Sequence, residues 1–380
     1  MRLEAGVGRR ARPARSARRD VADRDDAGRR ARAGGGRVPR WRSGQPARAS
    51  AAAGIQQEEA GADHYPPCAR AAVLAGVGAD RGQADAGRNR GKKAGVAPPG
   101  FGERFVGFGP PIASPVLGVP LQIGPVGLET NLLLAPIAGW SDLAWRLTCR
   151  ELGGVGLACT DLLSPHGLAA GSGKSLDLAR TCDEDSPLCM QLYGSDAGLL
   201  ADAARWCADH GAEVVDINMG CPVDKVTKKD GGSKLMCDVP GAVRIAEAVR
   251  AALPDKIPLT CKMRLGWDEQ AYLAGCACDL AVRLAGVGVA AVTVHGRTTE
   301  QAFKGRCRLE GIRRVVEAVG EATGAYTGKT GGGMPVIGNG DITRPGDAAA
   351  MIGATGCAGV MIGRGAFEMP WLFRTAWAAQ

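Results

Sequence analysis

The sequence predicts an α/β fold: a closed (β/α)8 barrel of the TIM-barrel class, preceded by a long basic extension expected to be disordered. Two observations carry this. Eight short apolar runs recur between residues 132 and 365, each passing into a polar or Gly-rich end. Segments with helical periodicity lie between them, and strand alternating with helix implies a parallel sheet. Eight such units in roughly 250 residues fit a closed barrel rather than an open sheet.

The extension comes first in the chain. Residues 1 to about 110 consist mainly of Arg, Ala, Gly and Asp, as in "GRRARPARSARRDVADRDDAGRRARAGGG". Large apolar residues are scarce there, so burial cannot offset the entropy lost on ordering. We therefore divide the chain into an Arg/Ala/Gly-rich extension, 1–115, and a barrel domain, 116–380. Residues 1–100 hold 21 Lys and Arg against 10 Asp and Glu, a net of +11, while the other 280 residues hold 26 against 29, a net of −3. The formal charge of +8 thus resides in the extension. It reads as a solvated tail, including an over-extended translation start, or as an electrostatic arm for RNA. Its interspersed acidic residues argue against a transit peptide.

Composition bounds the rest. A hydrophobic content of 45% with only 4% aromatics calls for an aliphatic core. No apolar run reaches the roughly 18 residues that span a bilayer, so no membrane partner is expected. No signal peptide is visible, and 13 cysteines in a chain of this length read as reduced thiols. The expected location is cytoplasmic. Cys276 and Cys278 form a lone C-x-C, too little for zinc, and no metal is expected.

Each element then follows in order. "LQIGPVGLETN" (121–131) reads as a hairpin closing the barrel floor. The strand runs are "LLLAP" (132–136), "VGLACTDLL" (155–163), "PLCMQLYG" (187–194), "VVDINMG" (214–220), "PLTCKMRL" (258–265), "AAVTVHGR" (290–297), "PVIGNGD" (335–341) and "GVMIGRG" (359–365). In "SDAGLLADAARWCADHG", Leu199, Ala203 and Cys207 recur at helical spacing and Gly211 is placed as a C-terminal cap. "PGAVRIAEAVRAAL" reads as another helix, with proline near its start. "EMPWLFRTAWAAQ" reads as one closing helix. "GAYTGKTGGG" (324–333) is Gly-rich but lacks the P-loop spacing.

The active site of such a barrel lies at the carboxyl ends of its strands. Polar residues collect there: Gln191 on the third run, Asp216 and Asn218 on one face of the fourth, then Cys221. Lys262 and Arg264 share a face of the fifth run; Thr293, His295 and Arg297 share a face of the sixth. Buried polar groups cost desolvation unless paired or used, so four such strand ends point to a site. The last two runs end in "GNGD" and "GRG", where glycine N–H groups, a helix N-terminus and Arg364 suit a phosphate. Cys159, Cys189 and Cys261 lie inside runs and read as core, with Cys261 facing away from Lys262.

Together, "LAPIAGWSDLAWR", "INMGCPVDKVTKKDGGSKLM", "LTCKMRLGWD", "TVHGRTTEQAFKG", "IGNGDI" and "IGRGAF" resemble the signature blocks of the tRNA-dihydrouridine synthases, in that family's order, over about residues 130–372. The resemblance implies a monomeric FMN barrel that reduces uridines in tRNA with NADPH. It implies that Pro136, Gln191, Lys262 and His295 hold the flavin, and that Asn339, Gly340, Gly363 and Arg364 hold its phosphate. It also implies substrate contacts by Asn218, Lys225, Arg264 and Arg297, and Cys221 as general acid. A thiol with an unperturbed pKa of about 8.5 is protonated at neutral pH and can still donate.

Three features depart from the pattern. Asp161 stands where the family has glutamate; "RCRL" (306–309) replaces A-D-W; and the family's C-terminal helical tRNA-binding domain is expected to be truncated or absent. A flavin barrel acting on a free pyrimidine or other activated alkene, and an inactive RNA-binding relative, are the competing readings.

Overall fold

A computed structural model describes residues 120–228, 230–328 and 332–380. The expected extension, 1–115, lies outside the described residues.

Two short strands come first, β1 (Leu121–Ile123) and β2 (Val126–Leu128), paired antiparallel. Gly124 turns between them at a φ of +55°. Eight strands follow: β3 (Leu132–Leu134), β4 (Leu157–Cys159), β5 (Leu188–Leu192), β6 (Val214–Met219), β7 (Leu259–Met263), β8 (Ala291–His295), β9 (Val336–Asn339) and β10 (Gly359–Ile362). Each pairs in parallel with the next, and β10 closes on β3, so the predicted (β/α)8 barrel is the observed fold.

The helices are α1 (Leu143–Glu151), α2 (Pro165–Ala169), α3 (Gly173–Leu178), α4 (Ala197–Asp209), α5 (Asp224–Thr227), α6 (Val239–Ala252), α7 (Glu269–Leu273), α8 (Cys276–Val287), α9 (Leu309–Thr323), α10 (Pro345–Thr355), α11 (Gly365–Glu368) and α12 (Leu372–Ala378). Local chemistry starts several of them. Asp142, Asp196, Asp238 and Asp268 each accept a backbone N–H three residues on, capping α1, α4, α6 and α7. Gly211, at a φ of +96°, follows the end of α4 as expected. The buried stripe of α4 runs through Leu200, Ala203, Ala204 and Cys207 rather than Leu199, one position off the predicted spacing. The predicted closing helix is also shorter: Met369 leaves helical geometry before Pro370, and α12 starts at Leu372.

Strand alternation divides the core. Leu132, Leu134, Ile217 and Cys261 face the helices. Leu133, Leu157, Cys159, Cys189, Val214 and Ile337 fill the lower barrel, where Leu121, Ile123 and Leu128 of the hairpin join them. The hairpin is thus the floor, as predicted, and Cys159, Cys189 and Cys261 are buried core thiols. Above this aliphatic layer the inward positions turn polar. The strand register puts Gln191 beside Asp216, Asp216 beside Thr260, Asn218 beside Lys262 and His295 beside Asn339.

A buried ion cluster ties α1 to the segment before β5. Asp185 receives Arg146 at 2.8 Å and Arg150 at 3.0 Å. Arg146 also donates to the carbonyls of Ser141 and Arg180. Among the described residues no helix is long and apolar enough to cross a membrane.

Candidate active site

The polar layer forms one connected array. Thr260 Oγ1 donates to Asp216 Oδ1 at 2.6 Å, and Gln191 Nε2 donates to Asp216 Oδ2 at 2.7 Å. Asn218 Nδ2 donates to Gln191 Oε1 at 2.7 Å. Asn218 Oδ1 then accepts the N–H groups of Gly220 at 3.1 Å and Cys221 at 2.8 Å. The asparagine predicted to touch substrate therefore also holds the cysteine loop. The carbonyl of Cys221 accepts from Ser233 N, and Gly232, at a φ of +61°, lets the chain pass close above it. Cys221 is half-buried, and burial raises its thiol pKa above the ordinary 9.0.

Two arginines organise the mouth. Arg264 Nε donates to the carbonyl of Gly220 at 2.7 Å, and its Nη1 donates to the carbonyls of Thr298 at 2.8 Å and Ala302 at 2.9 Å. Burial lowers its pKa to about 10, so it stays charged at neutral pH. Arg297 pairs with both oxygens of Asp341 through Nη2, at 2.8 and 2.9 Å, and donates to the carbonyls of Lys304 and Gly305. Its Nη1 lies 3.2 Å from His295 Nε2. Arg297, expected against substrate, is 2% exposed, with its guanidinium against the His295 ring.

His295 sits among cations. Burial, then Lys262, Arg264, Arg297 and Arg364, push its pKa far below the usual histidine range. Lys262 donates to Asn339 Oδ1 at 3.1 Å, and burial lowers its pKa to about 8. Asn339 Nδ2 donates to the carbonyl of Met361 at 2.7 Å, so this side chain bridges β9 and β10.

The residues present fit an anionic, planar group such as FMN. Gly340 adopts a φ of +123°, and a β-carbon there would stand 2.9 Å from Cys307 Sγ and 3.1 Å from His295. Gly363 has only Ala135 and Ile137 within contact distance of that position, at 3.8 Å. Among the described hydrogen bonds neither the Gly363 nor the Arg364 N–H has a partner. These N–H groups with the Arg364 guanidinium could receive an oxyanion, with Lys262 as a further cation. Pro136 lies just past β3, next to β10.

Phe303, 51% exposed, lies 5.7 Å from the Arg264 guanidinium and 4.8 Å from that of Arg364. Lys225 lies on α5, and its side chain is outside the described residues. Asp161 accepts the N–H groups of Gly139 and Leu162, clasping the loop after β3. No metal-binding group of three or more His, Cys, Asp or Glu occurs among the described residues.

Sequence reasoning gave no role to Asp341, Thr260 or Phe303. Asp341 was visible as the last residue of "GNGD", but its pairing with Arg297 crosses from β9 to β8, which no local pattern encodes.

Comparison with known proteins follows the same blocks. The family model described as "Dihydrouridine synthase (Dus)" matches residues 133–380. The chain belongs to the dihydrouridine synthase family. A "Probable tRNA-dihydrouridine synthase" of Rickettsia bellii is 37% identical over 253 residues, 66% of this chain and 72% of the relative. A "tRNA-dihydrouridine synthase B" of Xanthomonas axonopodis pv. citri is 38% identical over 257 residues, 67% of this chain and 70% of the relative. Among solved structures, a 2-naphthoyl-CoA reductase complex shares the fold with a TM-score of 0.51 at 14% identity. A 6-hydroxypseudooxynicotine amine oxidase of Pseudomonas geniculata N1 does so at 0.50 and 15%. Each of these two aligns over 69% of this chain, which spans about half of their length, 52% and 49%. They show the barrel alone.

Proposed function

We propose that this dihydrouridine synthase reduces the C5–C6 double bond of uridines in tRNA, using FMN, NADPH as reductant and Cys221 as general acid. The observation that supports it most is the Cys221 thiol. It is held at the mouth by Asn218, kept protonated by burial, and lies within the electrostatic reach of Lys262 and Arg264.

When bound, FMN supplies the hydride that adds to uracil C6. The chain's own residues do the rest. Lys262, Gln191, His295 and Pro136 would hold the ring system. His295 stays neutral and offers Nδ1–H, because Arg297 occupies Nε2. Asn339, Gly340, Gly363 and Arg364 hold the phosphate end. Cys221 Sγ transfers its proton to uracil C5, and solvent at the half-buried thiol restores it. A thiol serves better here than a thiolate, so a raised pKa suits the role.

Arg264 keeps the pocket in shape through the Gly220 carbonyl and would orient the uracil. A base within folded RNA must leave its stack to reach a barrel mouth. Phe303, flanked by Arg264 and Arg364, offers an aromatic face for an unstacked base. Lys225, four residues after Cys221 on α5, is the proposed phosphate contact.

The test is direct. The purified protein should be yellow or should reconstitute with FMN, and with NADPH and unmodified tRNA it should form dihydrouridine. Cys221→Ala should keep the flavin and lose about 10²- to 10⁴-fold in turnover, the range of general acid catalysis. Turnover equal to wild type would remove Cys221 from the role; a protein that never takes up FMN would overturn the whole reading.

A further inference from the structure

We propose that Asp216 is a positioning residue for the Cys221 acid, acting through the side-chain amides of Gln191 and Asn218. The proposal rests on the reading of Cys221 as the proton donor.

The argument is one of direction. The N–H groups of Gly220 and Cys221 can only donate, so Asn218 must turn Oδ1 to them. That leaves Nδ2 facing Gln191, which must accept through Oε1. Gln191 then turns Nε2 toward strand β6, and the group it meets there must accept. Asp216 meets that need, with its other oxygen taken by Thr260 Oγ1. Every link is fixed by the one before it, from the acid loop down to the carboxylate.

Burial makes the chain unforgiving. Gln191 is 0%, Asp216 4% and Asn218 5% exposed, so water does not replace a lost link. A residue at 216 that cannot accept frees Gln191 to turn over. Asn218 then loses its acceptor and its hold on the two loop amides, and a buried unpaired amide is costly.

An alternative reason for a buried carboxylate is to neutralise Lys262. The contacts argue against this as its main work, since Lys262 Nζ donates to Asn339 Oδ1 and the carboxylate is taken by Thr260 and Gln191. Direction and charge make opposite predictions for one substitution. Asp216→Asn keeps an acceptor toward Gln191 and can donate to Thr260, so it preserves the chain while removing the charge. Asp216→Val suits a strand but cannot accept.

The experiment compares the two variants by amide hydrogen exchange, by flavin kinetics and by KM. In Asp216→Val, exchange at Gly220 and Cys221 should rise at least about tenfold while amides of the other barrel strands are unchanged. Flavin reduction by NADPH, measured per bound FMN because Gln191 also holds the ring system, should fall by less than reoxidation does. Reoxidation by unmodified tRNA should slow at least about thirtyfold, with KM for tRNA within about threefold. Asp216→Asn should match wild type within about threefold throughout. Asp216→Val with wild-type exchange at both amides overturns the proposal, as does Asp216→Asn as damaging as Asp216→Val. If the valine variant does not fold, the wild-type protein decides. Gly220 and Cys221 lie beyond the strand ladder, yet their amides must be protected like those of β6; solvent-like exchange overturns the proposal. Exchange needs neither flavin nor tRNA, so loss of the proposed activity and loss of this positioning role are read separately.

Discussion

Arg297 donates from Nη1 to Nε2 of His295 at 3.2 Å, and that contact decides which ring nitrogen carries the proton. A guanidinium has no acceptor, so Nε2 must accept and the neutral imidazole keeps its proton on Nδ1. Arg297 is itself anchored by both oxygens of Asp341. In Arg297→Leu the donor and one nearby cation vanish, so the His295 pKa should move up toward the ordinary 6.5. An NMR titration of the imidazole checks this. His295 should show no step between pH 5 and 8 in wild type and a higher-lying one in the variant.

Lys262 sets a pH limit on anion binding. Burial holds its pKa at about 8, so its charge is present at neutral pH and is lost as pH rises through about 8. FMN affinity should fall over that interval, and Lys262→Met should be weak and flat across it. The stability effect has the opposite sign. The unfolded lysine titrates near 10.4, so below about 8 its buried charge opposes folding; that penalty lifts between about 8 and 10.4.

Asp185 should be a stability hot spot without catalytic effect. It receives two arginines, and both its side chain and that of Arg146 are fully buried. Asp185→Ala leaves Arg146 charged and unpaired, which typically costs about 3–5 kcal/mol. Urea denaturation measures the loss, and a change below about 1 kcal/mol would contradict this account.

Gly340 should resist even alanine. Its φ of +123° is foreign to side chains, and the added carbon would press on Cys307 and His295. Strain of this kind costs about 1–3 kcal/mol. Gly340→Ala should also weaken FMN binding, by shifting His295, whereas Gly346→Ala on α10 has open space and should be silent.

The barrel was legible because its signals are local. Apolar runs, turn residues such as Gly211 and the Gly-rich ends of β9 and β10 lie within a few residues of where they act. The inward burial of Lys262 and His295 was legible from strand alternation, and the position of Cys221 just past β6 from the strand-end rule. What escaped was pairing across strands. The Asp341 to Arg297 contact joins residues 44 apart, and the Gln191 to Asp216 contact joins residues 25 apart. A linear pattern shows that Asp216 faces inward but not which group it will meet. The partners of Arg297 were hidden for a related reason. Alternation puts it on the face of His295, but β8 ends at His295 and the chain turns.

Arg264 carries the carbonyls of Gly220, Thr298 and Ala302 on one guanidinium. The acid loop and the segment leading to Phe303 therefore share a single fastening and are not independent modules. Loop exchange among family members should respect this. A chimera that imports a relative's residues 219–233 alone should lose turnover, and one that imports 297–305 with them should regain it. The two segments thus form one unit of exchange, joined through a single side chain.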